Sequence, residues 1–189
     1  PIDGIFAQPQ SEADLSKWDA LVMGPPQSPY MFGFFELRMD FMDDYPSSAP
    51  HVRLLTTDNN RIRFSPNLYA CGKVCLSILG TWRGESGEQW SSVQTLQSVL
   101  VSIQSLMDDQ PYHNEPGFEK DSERAKASNE AAKQKVEATV QQYNLKILHE
   151  TLRVAVCGVL EAALDAPQQS PFGGIEKDMF LMYYDRYVA

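Results

Sequence analysis

The sequence predicts an α+β fold. Three observations carry that prediction: short apolar runs separated by proline and glycine turns fill the first third of the chain, amphipathic helical periodicity takes over after residue 90, and no internal repeat links the two parts. Strands that follow one another through short loops pair as an antiparallel meander. The chain has 189 residues, 43% of them hydrophobic, which suffices for one domain with a full core and a helical appendage.

Each element rests on its own residues. "DGIFAQP" (Asp3 to Pro9) and "KWDALVMG" (Lys17 to Gly24) hold brief apolar runs and read as the first two strands. "GPPQSPY" (Gly24 to Tyr30) is a tight connection fixed by its prolines. In "MFGFFELRMDF" (Met31 to Phe41), Phe35, Leu37, Met39 and Phe41 alternate with other residues, so a third strand should bury one face. "DDYPSSAP" (Asp43 to Pro50) breaks that strand, and "HVRLLTT" (His51 to Thr57) reads as the fourth. A polar, glycine-rich loop from Gly80 to Trp90 holds two tryptophans, read as buried anchors, before Ser91 or Ser92 offers a helix N-cap. Val93, Leu96, Val99, Leu100, Ile103, Leu106 and Met107 then recur at helical steps and predict one buried stripe. Lys120 to Gln142 is polar enough to be either a solvated helix or a partly mobile insertion. From Tyr143 the stripe Ile147, Leu148, Leu152, Val156, Val159, Leu160 predicts another amphipathic helix, and Phe180, Tyr183, Tyr184 and Tyr187 mark a last one near residues 175–188.

Charge and cysteine content narrow the function classes. Sixteen basic residues against 25 acidic ones give a formal charge of −9, so there is no basic face for a phosphate backbone, and nucleic acid is not expected as a partner. An acidic chain more readily meets a basic protein surface. "VAVCGVLEAAL" (Val154 to Leu164) contains Glu161 and is shorter than the ~20 residues a bilayer span requires, so no membrane span is expected. No cationic segment followed by an apolar one opens the chain, so no secretory signal is read there. Three cysteines, an odd number, fit a reducing compartment, the cytoplasm or also the nucleus.

Cys71 and Cys75 stand four residues apart in "SPNLYACGKVCLSIL" (Ser65 to Leu79). A structural zinc site needs four ligands, normally as two local pairs, whereas Cys157 stands alone and His51, His113 and His149 are scattered, so no metal is expected. A redox pair prefers a two-residue gap at a helix N-terminus. A Cys–His hydrolase stays open, because folding can bring a base to one thiol from anywhere in the sequence. Burial as a small hydrophobe is the ordinary fate of a free cysteine; it suits Cys157 in its apolar stripe better than Cys71 in its turn.

The surroundings of Cys75 distinguish it. Asn67 precedes it by eight residues, within a segment ending Gly72-Lys73-Val74-Cys75-Leu76-Ser77-Ile78-Leu79, and a tryptophan and an amphipathic helix follow. Upstream lie "GPPQSPY", "FFELRMDF" and "DYPSSAP" in that order. This ordered set, from about Gly4 to Gly117, resembles the ubiquitin-conjugating enzymes, with their Gly-Pro hairpin, Tyr-Pro loop, His-Pro-Asn turn and Gly-x-Val-Cys-Leu-x-Ile-Leu segment. "CLSILGTW", "SIQSLM", "PYHNEPGFE", "HETLRVAVC" and "YYDRY" further resemble the large class with an inserted active-site loop and extra C-terminal helices, which is served by the non-classical second ubiquitin-activating enzyme.

The resemblance implies a UBC-like fold, a four-stranded meander packed on helices. Residues 1–119 would form the catalytic core and 120–189 a helical insertion and extension packed on it; the family's N-terminal helix has no counterpart before Gly4. Cys75 would take ubiquitin, or a ubiquitin-like modifier, from an activating enzyme as a thioester and pass it to a lysine or a ligase. No cofactor is implied, since the activating enzyme consumes the ATP. Asn67 would donate to the oxyanion or hold the loop in shape, and either Glu115 or Asn114 would stand where the family places an acid on the lysine path. His113 beside them is a weaker candidate. Ser65 replaces the family's histidine and can brace the turn only in part. Ser47 and Ser91-Ser92-Val93 replace the apolar and Ser-Pro-Ala ligase contacts, so ligases would be partners through altered contacts. The rival reading is a catalytically weak variant that serves the pathway as a binding scaffold.

Overall fold

Alternating apolar residues and short connections give the chain the expected meander. A computed structural model describes residues 4–82, 87–120, 129–167 and 170–188. In it β1 (Ile5–Ser11), β2 (Asp14–Met23), β3 (Phe34–Asp40) and β4 (His51–Leu54) form one antiparallel sheet in the order β1-β2-β3-β4. β2 starts three residues before the apolar run because the hairpin pairs Ser11 with Asp14 and carries polar residues into the ladder. β4 stops short of Thr57. Past Leu54 the chain pairs through side chains instead, with Thr56 Oγ1 accepting from Glu36 N at 2.9 Å and Thr57 Oγ1 accepting from Asn60 N at 3.3 Å.

Because successive strand residues point to opposite faces, the sheet has two apolar sides. Ala20, Val22, Phe35, Leu37, Met39 and Leu54 face inward against α1 (Leu96–Ser105), which contributes Val99, Leu100 and Ile103. The cap of α1 is Thr95, neither Ser91 nor Ser92. Its hydroxyl accepts from Ser98 N while Ser98 Oγ accepts from Thr95 N, a reciprocal box that fixes the start of the helix there. Val93 therefore lies before the helix and is 85% exposed, outside the stripe predicted for it. Trp90 is anchored as expected: Nε1 donates to Pro46 O at 2.9 Å and the ring leans on Tyr45. Part of that loop, residues 83–86, lies outside the described residues.

Helices from the second half cover the outer face. α2 (Glu130–Glu150) starts at Asn129, whose side chain accepts from Ala132 N at 2.9 Å, so the polar stretch is a helix from Glu130 on; residues 121–128 lie outside the described ones. It runs on through a widened π-helical stretch, Thr151–Gly158, into α3 (Val159–Asp165); α4 (Gly173–Met182) and α5 (Tyr184–Val188) follow. The π stretch changes the predicted stripe: Thr151, Val154 and Ala155 are buried while Leu152 is exposed. It also turns Cys157 out to solvent, so that residue is not the buried hydrophobe its apolar neighbours suggest. On the outer face Leu21, Met23 and Phe34 pack with Phe32, Val156, Val159 and Phe172. Tyr183 stacks on Phe32 at 4.6 Å, and Tyr187 donates its hydroxyl to Phe32 O at 2.8 Å. Among the described residues, no helix is long and apolar enough to cross a membrane.

Candidate active site

The segment after β4 doubles back on itself. Leu68 bridges Val74 and Lys73 bridges Arg53, which lays the segment along β4. Gly72 makes this reversal possible: it takes φ +85°, and a Cβ there would stand 2.6 Å from the Leu54 carbonyl oxygen. Its own carbonyl accepts from Leu54 N at 2.8 Å.

The reversal converts the eight-residue spacing into contact. Cys75 N donates to Asn67 O at 2.8 Å, and Asn67 Nδ2 donates back to Cys75 O at 3.0 Å. Asn67 is 6% exposed, and its Oδ1 is buried without a hydrogen-bond partner. An amide nitrogen carries two hydrogens, so one can hold the loop while a second remains for another acceptor.

The turn before Asn67 is held from three sides. Ser65 Oγ accepts from Asn67 N at 3.1 Å and from Leu68 N at 3.0 Å. Tyr30, fully buried at the end of the proline-fixed connection, donates its hydroxyl to Phe64 O at 2.9 Å. Arg63 supplies the third hold: Nε donates to Ser65 O at 3.0 Å and an Nη to Pro66 O at 2.8 Å. Beyond Cys75, Thr81 Oγ1 donates to Val74 O at 2.7 Å and accepts from Leu76 N at 3.0 Å, fastening the residues on either side of the cysteine. Neither Arg63 nor Thr81 stands out in the sequence, because their partners are backbone atoms that come within reach only on folding.

Cys75 is 2% exposed, whereas Cys71 and Cys157 are exposed; all are free thiols. Burial pushes the Cys75 thiol above its ordinary pKa, and the nearby charges of Lys73 and Arg63 oppose that shift in part. Both cations flank the Tyr69 ring, Arg63 at 4.3 Å and Lys73 at 5.9 Å from its centre.

The loop after α1 brings one of the two acid-position candidates to this turn. Glu115 Oε2 accepts from an Arg63 Nη at 3.2 Å, so its carboxylate shares a guanidinium with the carbonyl just before Asn67. Asn114 turns the other way and donates to Asp108 Oδ2 at 2.9 Å. The histidines nearest in sequence are engaged elsewhere: His113 Nδ1 bonds to Phe118 O at 2.7 Å and His149 pairs with Glu150 at 3.5 Å. The arrangement is thus a single buried thiol, an amide pinned to its carbonyl and a carboxylate one guanidinium away. Such a set suits acyl transfer through a thioester more than a Cys–His dyad.

Known proteins of this organisation match the chain. A family model described as "Ubiquitin-conjugating enzyme" matches residues 1–142. "Ubiquitin-conjugating enzyme E2 Z" of Homo sapiens is 46% identical over 187 residues, covering 99% of this chain and 48% of that protein. The protein of the same name from Xenopus tropicalis is 45% identical over 189 residues, covering 100% of this chain and 54% of the relative. "Dual E2 ubiquitin-conjugating enzyme/E3 ubiquitin-protein ligase BIRC6" of Homo sapiens is 42% identical over 137 residues, covering 71% of this chain and 3% of that protein. The chain thus spans about half the length of the E2 Z relatives it matches. Among solved structures, the E2 domain of a Toxoplasma gondii ubiquitin conjugating enzyme superposes with a TM-score of 0.57 at 23% identity, over 81% of this chain and 89% of that one, a likeness of fold. The chain belongs to the ubiquitin-conjugating enzyme family.

Proposed function

We propose that this chain accepts ubiquitin or a ubiquitin-like modifier from an activating enzyme as a thioester on Cys75, and transfers it to a lysine amine or to a ligase. The mutual hydrogen bonds between Asn67 and Cys75 carry this reading, because they put an amide donor beside the one buried thiol. A thioester has little resonance stabilisation, so aminolysis runs downhill without a metal or an obligatory base dyad. Burial of Cys75 keeps the free thiol protonated and makes its sulfur a reluctant leaving group, which protects the thioester until an amine arrives. Asn67 then stabilises the oxyanion, a contribution of ~3 kcal/mol for a donor of this kind. Glu115 orients the amine and takes its proton.

The likeness of "CLSILGTW" and "PYHNEPGFE" to the large class supports the non-classical activating enzyme as the donor and the cytoplasm and nucleus as the location. On this reading residues 1–119 act as the core and 120–189 as its extension. Ligases dock through altered contacts: the groove between the 47–49 turn and the 79–90 loop is lined by Ser47, Leu79, Trp82 and Trp90, with serine where the family has an apolar anchor.

Incubation with ubiquitin, ATP and each class of activating enzyme, followed by a non-reducing gel, tests this. A reducible adduct should form in the parent and in Cys71→Ser and be absent in Cys75→Ser. An adduct that survives Cys75→Ser overturns the assignment. The burial of Cys75 favours the scaffold reading as a second possibility, and a parent that binds ubiquitin but forms no adduct with either activating enzyme would establish it.

A further inference from the structure

The turn that carries Asn67 lacks the family's histidine, yet it is held as firmly as a turn with two backbone carbonyls in the grip of one guanidinium can be. That guanidinium belongs to Arg63. Its Nε and one Nη take the carbonyls of Ser65 and Pro66 at 3.0 and 2.8 Å, the same Nη takes Glu115 at 3.2 Å, and its plane lies 4.3 Å from the Tyr69 ring centre. A planar fork of five donors can do this; an ammonium cannot. The two attachments differ in strength. Ser65 and Pro66 are buried, whereas the Arg63 and Glu115 side chains are 40% and 43% exposed, and an ion pair so wet contributes little and opens easily.

We propose that Arg63 is a positioning residue of this site with two separate duties: it braces the Asn67 turn, and it presents Glu115 to the incoming lysine, whose ammonium displaces Arg63 from the carboxylate while the guanidinium keeps its hold on the turn. This rests on the conjugating reading above. In the transfer, Glu115 takes one proton from the ammonium and releases it to water. The freed amine nitrogen bonds to the thioester carbon, the C–S bond breaks with its electron pair going to Cys75 Sγ, and the second amine proton returns the thiolate to a thiol through solvent. Arg63 touches none of the reacting atoms; its charge also opposes the upward shift that burial imposes on the Cys75 thiol.

The test charges each protein to completion with ubiquitin and then chases the purified thioester with free lysine or with hydroxylamine, a nucleophile already neutral at pH 7. The ratio of lysine to hydroxylamine discharge isolates the handling of the ammonium, and the hydroxylamine rate alone reports the brace. In Glu115→Gln the ratio should fall about tenfold with the hydroxylamine rate kept. In Arg63→Ala both should fall, and Arg63→Ala with Glu115→Gln should lower the ratio no further, since the two act as one unit. Arg63→Lys should restore the ratio, because it keeps the charge, but leave hydroxylamine discharge slow, because it loses the fork. An unchanged ratio in Glu115→Gln, losses that multiply in the double variant, or full recovery of both readouts in Arg63→Lys overturns the inference. Should Arg63→Ala not fold, Glu115→Gln and Arg63→Lys still decide it. A parent that never charges would sink the conjugating reading itself, whereas a charging parent beside variants that discharge like it would sink only the role of Arg63.

Discussion

The inner face of the sheet meets α1 through Ala20, Val22, Phe35, Leu37 and Met39, while the outer face sets Leu21, Met23 and Phe34 on the same strands as Asp19, Glu36 and Arg38. Inside, aromatic edges close the gaps: Phe35 lies edge-on to Phe64 at 5.1 Å and to Tyr30 at 6.0 Å, and Phe64 leads directly into the Ser65 turn. Outside, α4 brings down a glutamate. Glu176 is fully buried, takes one 3.4 Å hydrogen bond from Ser170 Oγ, and leaves Oε1 without a partner. Burial, with the charge of Glu36 nearby, raises its pKa to about 8. The inner packing is therefore insensitive to pH and coupled to the candidate site; the outer packing is pH-sensitive and remote from it.

The largest break in this contrast should come from Phe35→Ala. Removing a fully buried ring should cost about 3–5 kcal/mol and loosen the Phe64 support of the turn, so the urea midpoint and the yield of Cys75 thioester should fall together. Phe172→Ala, in the outer cluster, should cost less, about 2–3 kcal/mol, because α4 can settle after the loss. Hydrogen exchange should rise through Gly173–Val188 and stay unchanged in β2 and α1, with thioester yield retained. Equal exchange in both regions would mean that the two faces are not separable.

The smallest effect is the titration of Glu176. A carboxyl whose folded pKa, about 8, lies above its unfolded value binds a proton on docking. Docking of α4 should therefore be strongest below the ordinary carboxylate range, weaken as pH rises, and reach its floor above about 8. Between pH 6 and 8 the change should be on the order of 1 kcal/mol. Glu176→Gln should flatten this dependence, read as exchange protection of α4 against pH; a slope that survives the substitution assigns it to another group.

Strands and α1 were legible because period and proline placement are local properties, and Cys75 was legible because its distance from Asn67 along the chain is the circumference of a loop that closes on itself. The misreadings share a different cause. Thr95 captured the helix start from two nearer serines by pairing with Ser98, a choice no single residue announces. Cys157 turned outward because the π stretch alters the helical count on which its burial was read. Arg63 and Thr81 were invisible because their partners are carbonyls and amides, which every residue has. Ser65 was expected to brace the turn only in part; its hydroxyl takes two backbone amides, and the two carbonyls are left to Arg63.

The widened stretch Thr151–Gly158 also sets a tolerance on the gene. Ile147, Val154 and Ala155 sit in the inner cluster while Val156 and Val159 sit in the outer one, so a single continuous rod serves both sides of the sheet. Each helical residue advances the rotation by about 100°, so deleting one codon within the stretch would rotate all that follows by that angle and turn Val159 and Leu160 away from Phe34 and Phe172. Substitutions there should be widely accepted, and length changes hardly at all.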